Sequence, residues 1–291
     1  MNILSLFDGM SCGQIALERA GIKVDNYYAS EIDKYAIQIT QKNYPGTVQL
    51  GDVTKWREWD LPEIDLVIGG SPCQSLSIVQ SQTRQNLDGK SKLFFEFVDI
   101  LGHIKARKPD VKFLFENVAS MKKDCKQVIS EQLGCCPVFI DSASFSAQQR
   151  PRYYWTNISN DLVCFGSYLT LADILEETVD DKFWYNVGFD YMGEDKSVQA
   201  ILHINGHDIL KRVHSRNAKC HTLTTCGGGN TQKKVYIDGR CRKLTPTEYE
   251  RLQTVPDGYT EGVANTHRYN MLGNGWTVDV ISHILKGLSP K

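Results

Sequence analysis

Short dense apolar runs alternate along the first half of the chain with stretches of helical spacing, and that order predicts the fold class. Asn2 to Phe7, Tyr27 to Ser30, Val48 to Leu50, Ile64 to Ile68, Val111 to Phe115 and Pro137 to Asp141 read as strands. Between them Gln14 to Ala20, closed by Gly21, then Lys34 to Asn43, Leu93 to Arg107 and Cys125 to Leu133 read as helices, the third stopped by Pro109. Strand and helix taken in turn imply an α/β fold built on a parallel sheet. From about Val179 to Gly258 the pattern breaks into short segments, preceded by a short helix over Leu171 to Glu177. A capping-box start at Thr245 and Glu248 and a closing helix over Val278 to Leu288 follow. The expected division is a larger domain of residues 1–178 plus 265–291 and a smaller one of residues 179–264.

Candidate chemistry sits where the strands stop. Ile64 to Ile68 runs into Gly69-Gly70-Ser71-Pro72-Cys73-Gln74, which delivers a thiol at a strand's carboxyl end, where open α/β sheets hold ligands. Such a cysteine is a nucleophile if its surroundings favour the thiolate, and a small apolar filler otherwise. The first strand turns into its helix through Asp8-Gly9-Met10-Ser11-Cys12-Gly13, a glycine turn that lets a ligand approach backbone N–H groups. Glu31 ends the second strand about 20 residues on, as an acceptor for ribose hydroxyls or as a helix cap, and Asp52 tips the third. Three such ends favour an adenosine-type cofactor. Glu116 follows another strand; beside Cys73 it would be an acid shielded from water, able to donate or share a proton. Arg150 and Arg152 flank Pro151 and would hold a base edge or a phosphate, or else are surface charges. Gln74 to Lys92 is polar and long for a loop without structure of its own, a length that usually marks function or disorder.

Composition changes this picture in two places. The 291 residues carry a net charge of only -1, but residues 205–243 hold nine Lys/Arg against two Asp/Glu. A local basic stretch of that kind suits a surface that meets phosphates or, equally on charge alone, a solvated lysine-rich face; in the first case Arg216, Lys219, Lys233 and Lys234 are the expected contacts. Nine cysteines, an odd number with no Cys-x-x-Cys pair, fit free thiols in a reducing compartment. Cys220, His221 and Cys226 do not complete a zinc set, so no metal is expected. With no long apolar run and no basic leader, the expectation is a soluble, cytoplasmic protein away from membranes.

Taken together, the motifs resemble the DNA cytosine-5 methyltransferase family in its compact bacterial or phage form. They are Phe7-Asp8-Gly9, Gly51-Asp52-Val53, Ser71-Pro72-Cys73-Gln74, Phe115-Glu116-Asn117-Val118, Gln148-x-Arg150-x-Arg152, Arg242-Lys243-Leu244-Thr245-Pro246, Arg251-Leu252-Gln253 and Gly273-Asn274. Their order and spacing run almost end to end. The resemblance implies a Rossmann-like methyltransferase fold with a small target-recognition domain, and S-adenosylmethionine as cofactor. It would be held by Phe7, Asp8, Gly9, Gly13, Glu31, Ile32, Asp52, Val53, Pro72, Leu93, Asn274 and Trp276. It implies Cys73 as nucleophile, Glu116 at the cytosine ring, Asn117 orienting Pro72, and Gln148, Arg150 and Arg152 fixing the base. Double-stranded DNA with a flipped base would meet Gln74, Ser75, Ser77, Lys90, Arg216, Thr222, Thr224, Gly227, Gly228 and Gly229. A cognate restriction endonuclease is the implied partner, or none for an orphan enzyme. RNA cytosine-5 methylation on the same fold is the alternative. The chain departs from the family at Asn274-Gly275-Trp276, where many members carry serine and valine, and at Gly89-Lys90-Ser91-Lys92, where an arginine-glycine pair is common.

Overall fold

Strand and helix alternate through the first half of the chain as the apolar pattern predicts. The computed structural model describes residues 1–72, 93–159, 166–226 and 230–288. Packing separates the chain into two units, Met1–Asp141 with Pro151–Val163 and Val278–Lys291, and Ser142–Arg150 with Cys164–Thr277.

The first unit contains β1 (Asn2–Leu6), α1 (Cys12–Arg19), β2 (Asn26–Ser30), α2 (Lys34–Asn43), β3 (Val48–Gln49), β4 (Leu66–Gly69), α3 (Leu93–Arg107), β5 (Lys112–Val118), α4 (Lys123–Leu133) and β6 (Val138–Asp141). In the second unit, residues 142–150 contribute β7 (Gln148–Gln149); β8 (Pro151–Thr156) then returns to the first. The main sheet has the order β3-β2-β1-β4-β5-β8-β6, parallel from β3 to β5, with β8 antiparallel to both of its neighbours. Its core is aromatic. Phe115 on β5 packs against Phe97 (4.8 Å) and Phe94 (5.2 Å) of α3 and against Trp155 of β8 (5.9 Å). Tilted rings at these separations add to the burial of large apolar area. α3, with buried Phe94, Phe97, Ile100, Leu101 and Ile104 at helical spacing, covers this part of the sheet.

In the second unit β9 (Phe189–Tyr191), β10 (Val198–Leu202), the single turn α5 (Asp208–Lys211), β11 (Arg212–Ser215), β12 (Cys220–His221), β13 (Lys234–Ile237) and β14 (Arg240–Lys243) precede α6 (Pro246–Leu252) and α7 (Asn265–Asn274). The last helix, α8 (Val278–Leu285), belongs to the first unit, where it lies against α1 with Arg19 paired to Asp279 at 2.7 Å. The smaller sheet runs β14-β13-β11-β10-β9 over Ala200, Leu202, Val213 and Cys241, and β12 pairs separately with β7.

Three local features differ from the sequence reading or go beyond it. Leu171 to Glu177 forms only a 3-10 turn, Leu171–Asp173, with Thr170 and Asp173 as its capping box. The amides of Leu171 and Ala172 are taken by the carbonyls of Ala218 and Arg216 rather than by a growing helix. The chain before α8 is helical as α7, a helix whose polar sequence carries little periodic signal. Residues 164–178 and 265–277, grouped with the larger domain by sequence, pack with the second unit. Here α7 lies on α6 through Tyr249 and Tyr269, whose ring centroids are 4.7 Å apart, and through Arg268 bonded to Glu250 at 3.0 Å. Among the described residues no helix is long and apolar enough to cross a membrane.

Candidate active site

In the first unit the expected cofactor residues collect at the carboxyl ends of β1, β2 and β3. The turn after β1 holds three residues in the left-handed region, Phe7 (φ 58°), Gly9 (φ 61°) and Ser11 (φ 60°). For Phe7 and Ser11 this is backbone strain that the surroundings must hold in place. Glu31, just past β2, does so: its carboxylate accepts from Gly9 N at 2.7 Å while also accepting from Ile32 N (2.7 Å) and Asp33 N (2.8 Å). The amides of Ile32 and Asp33 both donate to Oε1, whereas Oε2 accepts from Gly9 N alone and keeps a lone pair for a hydroxyl donor. The position a Cβ would take at Gly9 meets nothing within 4 Å, and Ile32, next to Glu31 in sequence, is 76% exposed. Open space, an oriented acceptor and a bare apolar side chain fit an adenosine ligand. Gly13 is buried within α1 and Val53 in the core; Asp52 stays at the surface and caps a 3-10 helix by accepting from Thr54 N and its hydroxyl, both at 2.9 Å. Those bonds hold the Asp52 carboxyl below its ordinary range.

Asp8 accepts from Tyr27 OH at 2.7 Å and from the Ser11 hydroxyl. Burial nevertheless pushes its carboxyl up to about 6, against the hydrogen bonds from Ser11 and Tyr27 that lower it and with Glu31 repelling it. A carboxyl raised in the folded state binds its proton more tightly there than in the unfolded chain, so stability is lost as pH rises toward 6 and beyond. Asp8→Asn is therefore expected to be more stable than the parent at pH 7.5 by up to roughly 3 kcal/mol, with the gain vanishing toward pH 4. Urea unfolding of both proteins across that range checks it; a gain that grows toward low pH contradicts it.

The next two strands carry the expected catalytic residues. β4 pairs with β5 in parallel, Gly69 opposite Phe115, so Ser71 and Pro72 emerge beside Glu116 and Asn117. Asn117 is 2% exposed; its Nδ2 donates to the Ser71 carbonyl at 3.4 Å and its Oδ1 accepts from Val118 N at 2.8 Å. The side chain tethers the backbone directly ahead of Pro72 and Cys73. β5 and β8 pair with Val118 opposite Arg152 and Glu116 opposite Tyr154. Glu116 and Arg152 are thus diagonal neighbours on one face, and Arg152 Nε lies 2.7 Å from Glu116 Oε1. With side chains only 13% and 12% exposed, the carboxylate is aimed by a guanidinium largely shielded from water. Leu93 opens α3, half-buried. Cys73, Gln74, Ser75, Ser77 and Lys90, with Gly227, Gly228 and Gly229, lie outside the described residues.

The second unit revises three readings. Arg150 does not present a free fork. It is 4% exposed and donates to the carbonyls of Leu223 (2.9 Å), Gly273 (3.0 Å) and Gly275 (2.9 Å). Gln148, fully buried, donates to Leu252 O and Gln253 Oε1 and accepts from Leu223 N. Burying donors of this strength requires partners, and backbone carbonyls supply them. Both side chains are thereby tied to the backbone of the second unit. In the basic stretch, Lys219 donates to the carbonyls of Ser146 and Leu169, and Lys234, 2% exposed, to those of Asn230 and Gln232. Burial pulls the Lys234 ammonium down to about 8. Arg216 is exposed and Lys233 half-buried, which leaves these two as the candidate phosphate contacts. Arg216→Ala is expected to weaken DNA binding and to lower the salt slope by about one contact's worth, whereas Lys219→Met leaves that slope unchanged. Filter binding at several salt concentrations reads both. Thr222 donates to Gln149 O at 2.8 Å; Thr224 and Asn274 are exposed and Trp276 half-buried.

Among the described residues no group of His, Cys, Asp and Glu is placed to hold a metal ion. The Cys220 thiol is buried, which pushes it up to about 12. Sequence reasoning missed the structural part played by Gln253, which is fully buried and whose motif marked only the family.

A family profile described as C-5 cytosine-specific DNA methylase matches residues 1–289. The Type II methyltransferase M.NlaX of Neisseria lactamica is 30% identical over an alignment covering 97% of this chain and 94% of that protein. The orphan methyltransferase M.Rho11sI of Bacillus phage rho11s is 33% identical, covering 82% of this chain and 69% of that protein. In fold the chain is similar to the Entamoeba histolytica methyltransferase EhMeth (TM-score 0.73, 16% identity, covering 99% of this chain and 97% of that one). It is likewise similar to the S. pombe Dnmt2 methyltransferase (TM-score 0.71, 17% identity, 99% of each). With that profile matched along nearly the whole chain, this protein belongs to the C-5 cytosine-specific DNA methylase family.

Proposed function

We propose that the chain methylates carbon 5 of cytosine in duplex DNA, with S-adenosylmethionine as cofactor and with the base extruded from the helix. The observation that carries this reading is the Glu116–Arg152 pair at the end of β5, beside the Asn117 tether on the segment that leads into Cys73. Carbon 5 of cytosine is a poor nucleophile. The Cys73 thiolate adds to carbon 6, forming an S–C bond and moving the ring's electron pair toward carbon 5. Glu116 stabilises that charge by a hydrogen bond or proton at ring nitrogen 3, and Arg152 keeps its carboxyl pointed there. The cofactor, when bound, supplies an electrophilic sulfonium methyl. Once carbon 5 carries the methyl, a general base takes the carbon 5 proton, the C–H electron pair re-forms the double bond to carbon 6, and the S–C bond breaks with its pair on sulfur, which restores the Cys73 thiolate.

Glu31, Ile32 and the open turn at Gly9 would hold the adenosine part, with Asp8 and Asp52 on neighbouring strand ends. Thr222, Thr224 and Arg216 would meet the DNA. A base taken out of the stack costs a few kcal/mol, which contacts in the pocket offset. Relatives include both a Type II and an orphan enzyme, so a paired nuclease is a property of the host system rather than of these residues. Incubation with methyl-labelled cofactor and either duplex DNA or transfer RNA tests the reading. Label in DNA is expected; label in RNA alone overturns it. Bisulfite sequencing of the methylated DNA gives the recognition site.

A further inference from the structure

A second cleft opens within the first unit, away from the carboxyl ends of the strands. It holds about 530 Å³, within the usual range for a small-molecule pocket. One side comes from the 3-10 helix Val53–Glu58 and the segment that leads into β4, the other from the later half of α3. Arg107, the last residue of α3, stands just ahead of β5 and so at the amino ends of the strands, the opposite edge from Ser71 and Glu116.

The walls of this cleft are fixed by contacts of their own. Trp56 donates through Nε1 to Glu96 at 3.1 Å, with Arg57 stacked on its ring at 4.3 Å and His103 tilted against it at 5.4 Å. Lys108 is held by Glu63 at 3.0 Å and by Asp65. Ile64, Ile100 and Ile104 are buried and supply apolar lining. Three donors are left over: Trp59 Nε1, the His103 ring and the Arg107 guanidinium have no hydrogen-bond partner among the described residues. The charges are unequal in the same way. Arg57 is paired with Asp99 at 3.6 Å and Lys108 with two carboxylates, so Arg107, which is exposed, is the one arginine or lysine of the lining left without a carboxylate among the described residues.

We propose that this cleft binds a small planar aromatic monocarboxylate, with its ring against Trp56, Trp59 and the isoleucines and its carboxylate on Arg107. A guanidinium takes a carboxylate through two parallel N–H donors, and Arg107 has its fork to spare. Indole and imidazole rings held at fixed tilts offer faces and edges to another aromatic ring. A cationic ligand is disfavoured, because Arg107 repels it and Arg57 already stacks on Trp56. A dianion such as a phosphate monoester meets Glu63, Asp65 and Asp99 around a single uncompensated guanidinium, so one negative charge is the better match. The cleft uses none of the residues assigned to methyl transfer, and its ligand is independent of that reading.

The test is a fluorine NMR titration of the full chain with 6-fluoro-2-naphthoate, set beside its neutral counterpart 6-fluoro-2-naphthalenemethanol. Saturable binding of the acid is expected at roughly 0.1–1 mM, the affinity a ligand of this size reaches without optimised contacts. Arg107→Met, at an exposed position, is expected to weaken the acid by about fivefold or more and to leave the alcohol within about twofold of the parent. Trp59→Leu is expected to weaken both probes by about fivefold or more. Saturating S-adenosylhomocysteine is expected to leave the acid bound. A parent protein that shows no saturable binding overturns the proposal, as does an Arg107→Met variant that binds the acid as the parent does. Displacement of the acid by S-adenosylhomocysteine overturns it as well, because the probe then sits in the cofactor turn. Tighter binding of 6-fluoro-2-naphthyl phosphate than of the acid overturns the assignment of a single negative charge.

Discussion

Cys73→Ala is expected to abolish methyl transfer while leaving affinity for S-adenosylhomocysteine within a few-fold of the parent. Removing the sulfur removes the only step that makes carbon 5 nucleophilic, and no neighbouring group replaces a covalent bond. Duplex DNA carrying 5-fluorocytosine at the recognised position makes the test direct. Fluorine at carbon 5 cannot leave as a proton does, so the parent protein should remain covalently joined to the DNA in the presence of cofactor. Peptide mapping should place the bond on Cys73, and substantial turnover by the alanine variant, or an adduct elsewhere, contradicts the mechanism. Glu116→Gln separates this step from its assistance. The amide keeps the size but cannot donate a proton to ring nitrogen 3, and it loses the 2.7 Å ion pair to Arg152. Methyl transfer is expected to fall by about 10²- to 10⁴-fold, the usual contribution of a positioned acid or base, with cofactor affinity unchanged.

The second large effect concerns stability. Glu248 is fully buried and binds Arg242, itself 1% exposed, through two hydrogen bonds of 2.7 and 2.5 Å. The same carboxylate accepts from Thr245 N at 2.8 Å, which closes the capping box of α6, and from Glu176 N at 3.0 Å. Glu248→Ala leaves a buried guanidinium, the buried amide of Thr245 and the part-buried amide of Glu176 without that partner. A broken buried pair costs about 3–5 kcal/mol, against a total of about 5–15 kcal/mol for a typical domain. The variant is expected to be largely unfolded or insoluble at 37 °C. Replacing Arg242 and Glu248 together by Met and Leu removes the charge as well as its partner, and is expected to cost less than Glu248→Ala alone. Denaturant midpoints of both variants measure this; a double variant as unstable as the single one contradicts the pair as the cause.

The candidate site was legible in part from the chain alone because its residues stand at the ends of predicted strands. Gly9, Glu31, Asp52, Pro72 and Glu116 each follow a short apolar run, and a run of that kind announces both the strand and the place where it stops. Helices α2 and α3 were equally plain, with the predicted limits of Lys34 to Asn43 and Leu93 to Arg107 unchanged. Helix α7 was not, since its buried positions include Arg268 and Gly273, which no hydrophobic periodicity reveals.

What the sequence determined by itself was therefore the alternation of strands and helices, the family, and the identity of the chemical groups at the strand ends. Only the tertiary structure decided the direction and partners of side chains far apart in sequence. Arg150 and Arg152 stand two residues apart, yet one is consumed by the carbonyls of Leu223, Gly273 and Gly275 and the other aims Glu116. Lys219 and Lys234 count as charges in a composition but are anchored to backbone oxygens. The physical reason is that apolar periodicity follows from local geometry, whereas the hydrogen-bond partners of a buried polar group are set by segments that meet only after the chain has folded.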